Sequence, residues 1–372
     1  MTGHSTSPDQ AQPQMHRCEA ADHTRPFGDR PATRLPFRTI DTHCHLFVPA
    51  VEALIAAHPA RIAEGQAIRL ALGEPSMAVN EAMFQTLAPK FTDIDQRLRD
   101  MDAVGVDVQA ISPSPLQYYY WAEPDLSEKL VALQNDAIAA LCSLHPTRFV
   151  GMGTVALQQP ERAAEQLKEL ILERGFKGVQ VSTLVNGLDL ADPIFEPFWS
   201  MANELSAVVF VHPWGSTLGS RLADHYLLNV IGQPFETTVC LSKLILGGLF
   251  DRQSELRILA AHGGGYLPLY IGRTDRAHAM RPETKGCACQ PSTYLQRIWY
   301  DSIVYDPASL KMLLDRVGRQ QVVFGTDYPF DMGHYDGASL LAGFDEETQR
   351  MILGANAEAL FGIPAVDPIE PT

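Results

Sequence analysis

The sequence lacks long hydrophobic runs, has few cysteines and carries fewer basic than acidic residues. No stretch approaches the roughly 20 consecutive apolar residues of a membrane-spanning helix. Its six cysteines are scattered over 372 residues without a secretory hydrophobic segment, so free thiols in the cytoplasm explain them better than a disulfide framework. Lys and Arg number 29 against 44 Asp and Glu, which argues against a partner surface for nucleic acid or for a membrane.

Cys287 and Cys289 are the one closely spaced cysteine pair. Such a pair could form half of a metal site, but no second pair lies near it in the sequence. We therefore interpret the two as free thiols in a loop.

The composition is that of a folded protein, with 46% hydrophobic and 20% charged residues. Residues 1–36 are polar, without helical or strand periodicity, and predict a disordered leader. We expect one folded domain over residues 37–365 and a short tail over residues 366–372.

Short apolar runs rich in β-branched residues alternate with amphipathic segments after the leader. Helices are predicted at 160–174 and 307–317, each opened by a proline. The alternation predicts an α/β fold, a (β/α)8 barrel of the TIM type. A doubly wound open sheet is the alternative, but no glycine-rich phosphate loop follows the first strand. The predicted strands are 37–43, 104–112, 149–155, 178–182, 207–212, 256–262, 298–303 and 321–327.

The segment 46–92, between the first strand and the helix before the second, is too long for a simple loop. We expect it to form a helical insertion that covers the mouth of the barrel.

The first predicted strand ends in Asp-Thr-His-Cys-His, which places His43 and His45 two residues apart. Residues two apart on a strand point to the same face, so both imidazoles can converge on a divalent metal such as Zn²⁺. The pair alone is a weak signal, because the chain has 12 histidines and a polar turn is the ordinary explanation.

Three more apolar runs end in a residue with ligand or proton-transfer chemistry. They are Phe-Val-His-Pro-Trp at His212, Ala-Ala-His-Gly-Gly-Gly at His262 and Gly-Thr-Asp-Tyr-Pro-Phe at Asp327. Each alone has a structural explanation, such as a hydrogen-bonded core histidine. In a barrel, however, all these strand ends meet at one rim, where barrel enzymes have their active sites.

These motifs, in this order and spacing, resemble the amidohydrolase superfamily in its aminocarboxymuconate-semialdehyde decarboxylase-like branch, from about Thr39 to Pro364. The resemblance implies a distorted (β/α)8 barrel with one divalent metal ion, Zn²⁺ first and Mn²⁺ as the alternative, and no organic cofactor. It implies His43, His45, His212 and Asp327 as metal ligands. It also implies His262 as the acid/base that activates the metal-bound water, with Asp327 part of the catalytic machinery.

The expected activity is that of a metal-dependent non-oxidative decarboxylase of an aromatic or unsaturated, muconate-semialdehyde-like carboxylic acid. Residues 179–183 at the end of the fourth strand offer no bridging Lys or Glu, which favours a single metal. A metal-dependent hydrolase or hydratase acting on an amide, a lactone or a double bond remains the alternative on the same scaffold. A third hypothesis, a non-catalytic barrel, is disfavoured because every ligand position is occupied.

Recognition of a small carboxylated substrate needs local positive charge. Arg273 matches an arginine that relatives contribute across a dimer interface, which implies a homodimer. Where relatives have Phe-Arg in the insertion, this chain has Phe84 and Gln85, and a glutamine donates a hydrogen bond but brings no charge. We also expect aromatic contacts with the substrate from Phe47, Trp214 and Tyr226, the last in place of a tryptophan of close relatives.

Two charged residues have open roles. Asp41 either orients a metal ligand or is a hydrogen-bonded carboxylate of the strand. Arg97 lies near enough in the sequence to compensate for the arginine that is absent at Gln85, but we expect it on a helix surface, paired with Asp93, Asp95 and Asp100.

Overall fold

Eight parallel strands form the centre of the protein in the computed structural model, which describes residues 35–365. Each strand pairs with its neighbours in chain order. Backbone hydrogen bonds from Thr42 N to Phe324 O and from His45 N to Tyr328 O join the first strand to the residues that follow the last strand. The predicted (β/α)8 barrel is therefore confirmed. Its strands are β1 Ile40–Leu46, β2 Val108–Pro113, β3 Phe149–Gly153, β4 Gly178–Val181, β5 Val208–Val211, β6 Arg257–Ala260, β7 Ile298–Asp301 and β8 Val322–Val323.

The helices surround this barrel, and the helices Pro160–Leu172 and Pro307–Val317 lie where the sequence predicts them, with proline in the first turn. A two-residue hairpin, Leu184–Val185 with Leu188–Asp189, follows β4. Within residues 35–365 no helix has the length and apolar composition needed to cross a bilayer. The helices are α1 Pro49–Ile55, α2 Pro59–Leu72, α3 Glu74–Thr92, α4 Ile94–Val104, α5 Pro124–Leu144, α6 Pro160–Leu172, α7 Glu196–Glu204, α8 Gln233–Leu246, α9 Leu249–Arg252, α10 Leu267–Met280, α11 Pro307–Val317, α12 Gly337–Leu341, α13 Glu346–Arg350 and α14 Asn356–Phe361.

Both faces of the strands are buried, as their continuous apolar runs predict. On β5, Val209 and Val211 belong to the large core between the strands and the helices. Val208 and Phe210 belong to a second core that also includes residues of α14. The ring centroid of Phe210 lies 4.9 Å from that of His43. The second core therefore provides an apolar floor beneath the proposed metal ligands.

The insertion after β1 is helical, as expected, and consists of α1, α2 and α3. The α2–α3 pair packs through Leu72 against Leu222 and Leu228. Gly73 joins the two helices with φ +76°, and a Cβ there would lie 1.9 Å from the carbonyl oxygen of Ala223. Glycine thus permits close contact between the insertion and the segment after β5.

The predicted leader, except residues 35 and 36, and the predicted tail 366–372 lie outside the described residues.

Candidate metal centre

Four buried side chains meet at the C-terminal end of the barrel: His43 and His45 of β1, His212 directly after β5, and Asp327 after β8. One ligand atom from each lies within 4.8 Å of all the others. Nε2 of His43 and Nε2 of His45 are 3.1 Å apart, and Asp327 Oδ1 lies 3.4 and 3.3 Å from them. Two ligands at 2.0–2.1 Å from a tetrahedral Zn²⁺ would be separated by about 3.3 Å. The spacing therefore suits one shared cation.

The hydrogen-bond acceptors that face the Nδ1 atoms of the three imidazoles also fit a metal site. His43 Nδ1 lies 2.6 Å from Asp301 Oδ2, His212 Nδ1 lies 2.8 Å from the Pro213 carbonyl oxygen, and His45 Nδ1 lies 3.3 Å from the carbonyl oxygen of Pro113. Because each Nδ1 faces an acceptor, a neutral ring carries its proton there and leaves Nε2 with a free lone pair.

His212 Nε2 gives the most direct indication of a missing partner. It is fully buried, and no hydrogen-bond partner for it exists among residues 35–365. A buried polar atom without a partner costs free energy. A cation bound to this nitrogen would remove that cost, so the donor set fits a divalent metal.

The carboxylates make this position favourable for positive charge. Burial alone would lower the pKa of His43, but Asp327 and Asp301 outweigh it and raise the pKa to about 10. Burial tends to raise the pKa of Asp327, yet the neighbouring His43 holds it well below its usual range. A divalent ion replaces a proton at such a site, which links metal binding to pH.

Asp301, the last residue of β7, is the main residue of the site that sequence reasoning missed. It is fully buried, and Oδ2 faces His43 Nδ1 while accepting a hydrogen bond from His262 N at 2.8 Å. Oδ1 accepts from Gly263 N and Ile303 N at 2.9 and 3.1 Å. The available signal was an acid at the end of a predicted barrel strand, the same signal that identified Asp327.

His262 lies beside the four proposed ligands but outside their group. Its ring centroid is 5.3 Å from that of His43 and 5.2 Å from that of His212. Nδ1 is buried, with no partner in the described part of the chain. Burial lowers the pKa of His262, and positive charge at His43 lowers it further. The ring is therefore neutral near pH 7 and can accept a proton.

Asp41 is a hydrogen-bonded carboxylate of the first strand, which is the second of the two roles predicted for it. It accepts hydrogen bonds from His43 N, Thr326 N, Thr326 Oγ1 and Gln109 Nε2, at 3.1, 3.0, 2.7 and 3.1 Å. These partners are backbone and neutral side-chain groups rather than an imidazole. Asp41 thus ties β1 to the segment that carries Asp327, and burial raises its pKa to about 6.

The surface position predicted for Arg97 is wrong. Arg97 is fully buried, because the inner face of α4 packs against the barrel. Its guanidinium donates to the carbonyl oxygen of His45 at 2.5 Å and lies 4.6 Å from the ring centroid of Tyr328. It contacts residues at two of the proposed metal ligands, His45 itself and the neighbour of Asp327, instead of pairing with acids in solvent.

A cavity opens from His262 and Asp327. The part that also borders His212 is called the inner part and has a volume of about 80 Å³. It is lined by Trp214 and Tyr226, as predicted for substrate contacts, and by Phe330. The outer part, of about 430 Å³, extends between α10 and α11.

Three other predicted substrate residues do not line this cavity. Gln85 is exposed on α3, where its neighbour Phe84 lines the wall, since consecutive helical residues point about 100° apart. Phe47 packs on Phe91 with ring centroids 6.0 Å apart. Arg273 is exposed on α10 and is not part of the cavity wall of its own chain.

Residues 40–363 match the family model described as Amidohydrolase. The 2-amino-3-carboxymuconate-6-semialdehyde decarboxylase of Dictyostelium discoideum is 34% identical over 294 residues, covering 77% of this chain and 81% of that protein.

Two solved structures share the fold. The 5-carboxyvanillate decarboxylase of Sphingomonas paucimobilis has a TM-score of 0.75 at 26% identity, with 88% of this chain and 100% of that chain covered. The Novosphingobium aromaticivorans 5-carboxyvanillate decarboxylase, solved with manganese and 4-hydroxy-3-methoxy-5-nitrobenzoic acid, has a TM-score of 0.73 at 24% identity, with 88% and 96% covered. On the match over residues 40–363 and the 34% identity, this chain belongs to the amidohydrolase family.

Proposed function

We propose that this protein is a metal-dependent, non-oxidative decarboxylase that acts on an aromatic or unsaturated, muconate-semialdehyde-like carboxylic acid. The observation that carries the proposal is the buried set of three imidazoles and one carboxylate, with an orphaned Nε2 on His212, at the base of a cavity. The three relatives named above are decarboxylases, which supports the reaction type.

His43, His45, His212 and Asp327 would hold one divalent metal ion. When bound, the metal would supply Lewis-acid chemistry that helps to withdraw electrons from the carbon that loses CO₂. Three nitrogen ligands and one oxygen ligand suit Zn²⁺, which we propose first. Mn²⁺ is the alternative, since the Novosphingobium aromaticivorans structure contains it.

His262 would move the proton. Loss of CO₂ breaks a carbon–carbon bond and leaves its electron pair on the substrate carbon, which must then take up one proton. His262 lines both parts of the cavity, and its neutral ring can take a proton from solvent and deliver it to that carbon. The side chains of Trp214, Tyr226 and Phe330 would pack against a planar ring or diene.

We also propose a homodimer in which Arg273 of one protomer binds the substrate carboxylate in the cavity of its partner. In support, Arg273 is exposed on α10, beside the exposed apolar side chains Leu269 and Tyr270, and Leu269 borders the outer cavity. A guanidinium binds a carboxylate through two parallel hydrogen bonds. Arg273→Gln should raise KM more than it lowers kcat, and sedimentation should report a dimer.

We also propose a cytoplasmic location for the protein. The free thiols of Cys44, Cys142 and Cys240 support this location, because disulfides are rare in the cytoplasm.

The proposal is tested by CO₂ release from a panel of carboxylated catechols, salicylates and muconate semialdehydes. The metal-loaded protein should release CO₂ from at least one of them without oxygen or an organic cofactor. A protein that releases none, but hydrolyses a lactone or an amide, would be a hydrolase and would overturn the proposal.

A further inference from the structure

Gln233 is a buried amide with an unpartnered oxygen in the wall of the cavity. Gln233 as a whole residue is only 7% exposed, and no group in residues 35–365 donates a hydrogen bond to Oε1. It lines both the inner and the outer part of the cavity, together with His262 and Asp327. The metal centre described above does not use it.

The local fold holds Gln233 firmly. Gln233 is the first residue of α8, directly after a π-helical turn, Leu228–Gly232. The backbone carbonyl oxygen of Gln233 accepts a hydrogen bond from the hydroxyl of the fully buried Thr237 at 3.2 Å. One turn earlier, Asn229 also lines both parts of the cavity. Single π-helical turns often occur at functional sites, and this one directs two amides into the same space.

A buried amide oxygen without a donor is unfavourable unless a ligand completes it. Rotation about the last side-chain bond exchanges the oxygen and the nitrogen, so the amide can accept or donate at this position. The unpartnered atom thus points to a ligand group that forms hydrogen bonds.

The charge of the inner cavity identifies the kind of group. No Lys or Arg of the described chain lines it, and Arg316 lines only the outer part; its acids are Asp327 and Asp331, and its amide side chains are Asn80, Asn229 and Gln233. Burial raises the pKa of Asp331. A second carboxylate would meet no positive charge here from the same chain, whereas a hydroxyl or amino group would meet amide acceptors.

We propose that Gln233 is a specificity-determining residue that accepts a hydrogen bond from a neutral hydroxyl or amino group of the substrate. Asn229 provides the neighbouring amide. The substrate class is then a carboxylic acid with such a donor, rather than an acid with a second carboxylate in the inner cavity. This inference rests on the proposed decarboxylase function and narrows its substrate.

The test compares binding of matched acids to the metal-loaded full-length protein by calorimetry. The probes are 3- and 4-hydroxybenzoate and their fluoro analogues, which are similar in size but cannot donate. The wild type should bind one hydroxy acid about tenfold or more tightly than its fluoro analogue. Gln233→Met keeps the side-chain length and should reduce this preference to less than about threefold.

Gln320→Met, the same change at an exposed position, is the control and should keep the preference. Gln233→Met should also unfold at the same temperature as the wild type or higher, because it removes an unsatisfied buried atom. A merely structural glutamine would instead lower the unfolding temperature and leave the preference intact.

Equal binding of both acids by the wild type, no binding of either, or an unchanged preference in Gln233→Met would each overturn the inference. The same samples are assayed for CO₂. A protein that binds the hydroxy acids selectively, but releases CO₂ from no acid, would contradict the decarboxylase proposal while leaving the role of Gln233 in recognition supported.

Discussion

Asp301 Oδ2 lies 2.6 Å from Nδ1 of His43, and the same carboxylate accepts hydrogen bonds from the backbone N–H groups of His262 and Gly263. One buried side chain thus orients a proposed metal ligand and also fixes the turn that carries the proposed acid/base. The partner of the second ring nitrogen sets the orientation of an imidazole ligand, so the orientation of His43 depends on Asp301. The position of His262 depends on the same carboxylate through the backbone hydrogen bonds.

Replacing Asp301 by Asn should weaken metal binding and activity together, by about 10–100-fold, because an amide is a weaker and partly mismatched partner for His43. Metal titration and kcat measure the two effects. Asp315→Asn is the matched control, since Asp315 is exposed and pairs with Lys311 in solvent. Wild-type metal affinity in Asp301→Asn would contradict the orienting role.

His262→Asn should lower kcat by about 10²–10⁴-fold while the metal content stays at the wild-type value. Asn suits this position because His262 has φ +55°, which Asn adopts more readily than most residues. The largely exposed His225, at φ +51°, allows the same change as a control. A loss of bound metal in His262→Asn would instead place His262 among the ligands.

The pH dependence of kcat/KM should report the ionisation of His262, because its protonated ring delivers the proton to the substrate carbon. Burial lowers the pKa of His262 below the ordinary value of 6.5. We expect kcat/KM to fall as the pH rises through this lowered pKa, with a midpoint below pH 6.5. A midpoint clearly above 6.5, or one unchanged in His262→Asn, would contradict this assignment.

Gly73→Ala should disturb the insertion above the cavity. The new Cβ would lie 1.9 Å from the Ala223 oxygen, so the variant should lose about 1–3 kcal/mol of stability and show a raised KM, because Asn80 and Phe84 of α3 line the cavity. Thermal unfolding and steady-state kinetics measure both effects.

Gly65→Ala in the neighbouring helix α2 is the control for that experiment. Its Cβ would meet nothing closer than 3.8 Å, so this change should stabilise the protein by about 0.5–1 kcal/mol and leave KM unchanged. Equal KM values in the two variants would show that the insertion does not shape the cavity.

The barrel and the cluster of proposed ligands were accessible from the sequence because the signals are local. An apolar run that stops at His212 or Asp327 marks the end of a strand, and parallel barrel strands bring these ends to one rim. The two-residue alternation placed His43 and His45 on one face for the same reason.

Three features of the site depend on contacts between segments that are distant in the sequence, and these could not be predicted in this way. Asp301 gains its role from the packing of β7 beside the turn of His262 and below His43. The side of α3 that faces the cavity, with Phe84 inward and Gln85 outward, depends on how the helix packs on the barrel. Arg97 is surrounded by acids in the sequence, yet it lies beneath β1.

The central claim is that one metal ion, held by His43, His45, His212 and Asp327, supports decarboxylation. The most direct measurement is CO₂ release during titration of chelator-treated protein with Zn²⁺ or Mn²⁺. The account predicts no release without metal and a linear rise to a plateau at one ion per chain, absent in His212→Ala. Release by the metal-free protein, or a plateau at two ions per chain, would contradict it.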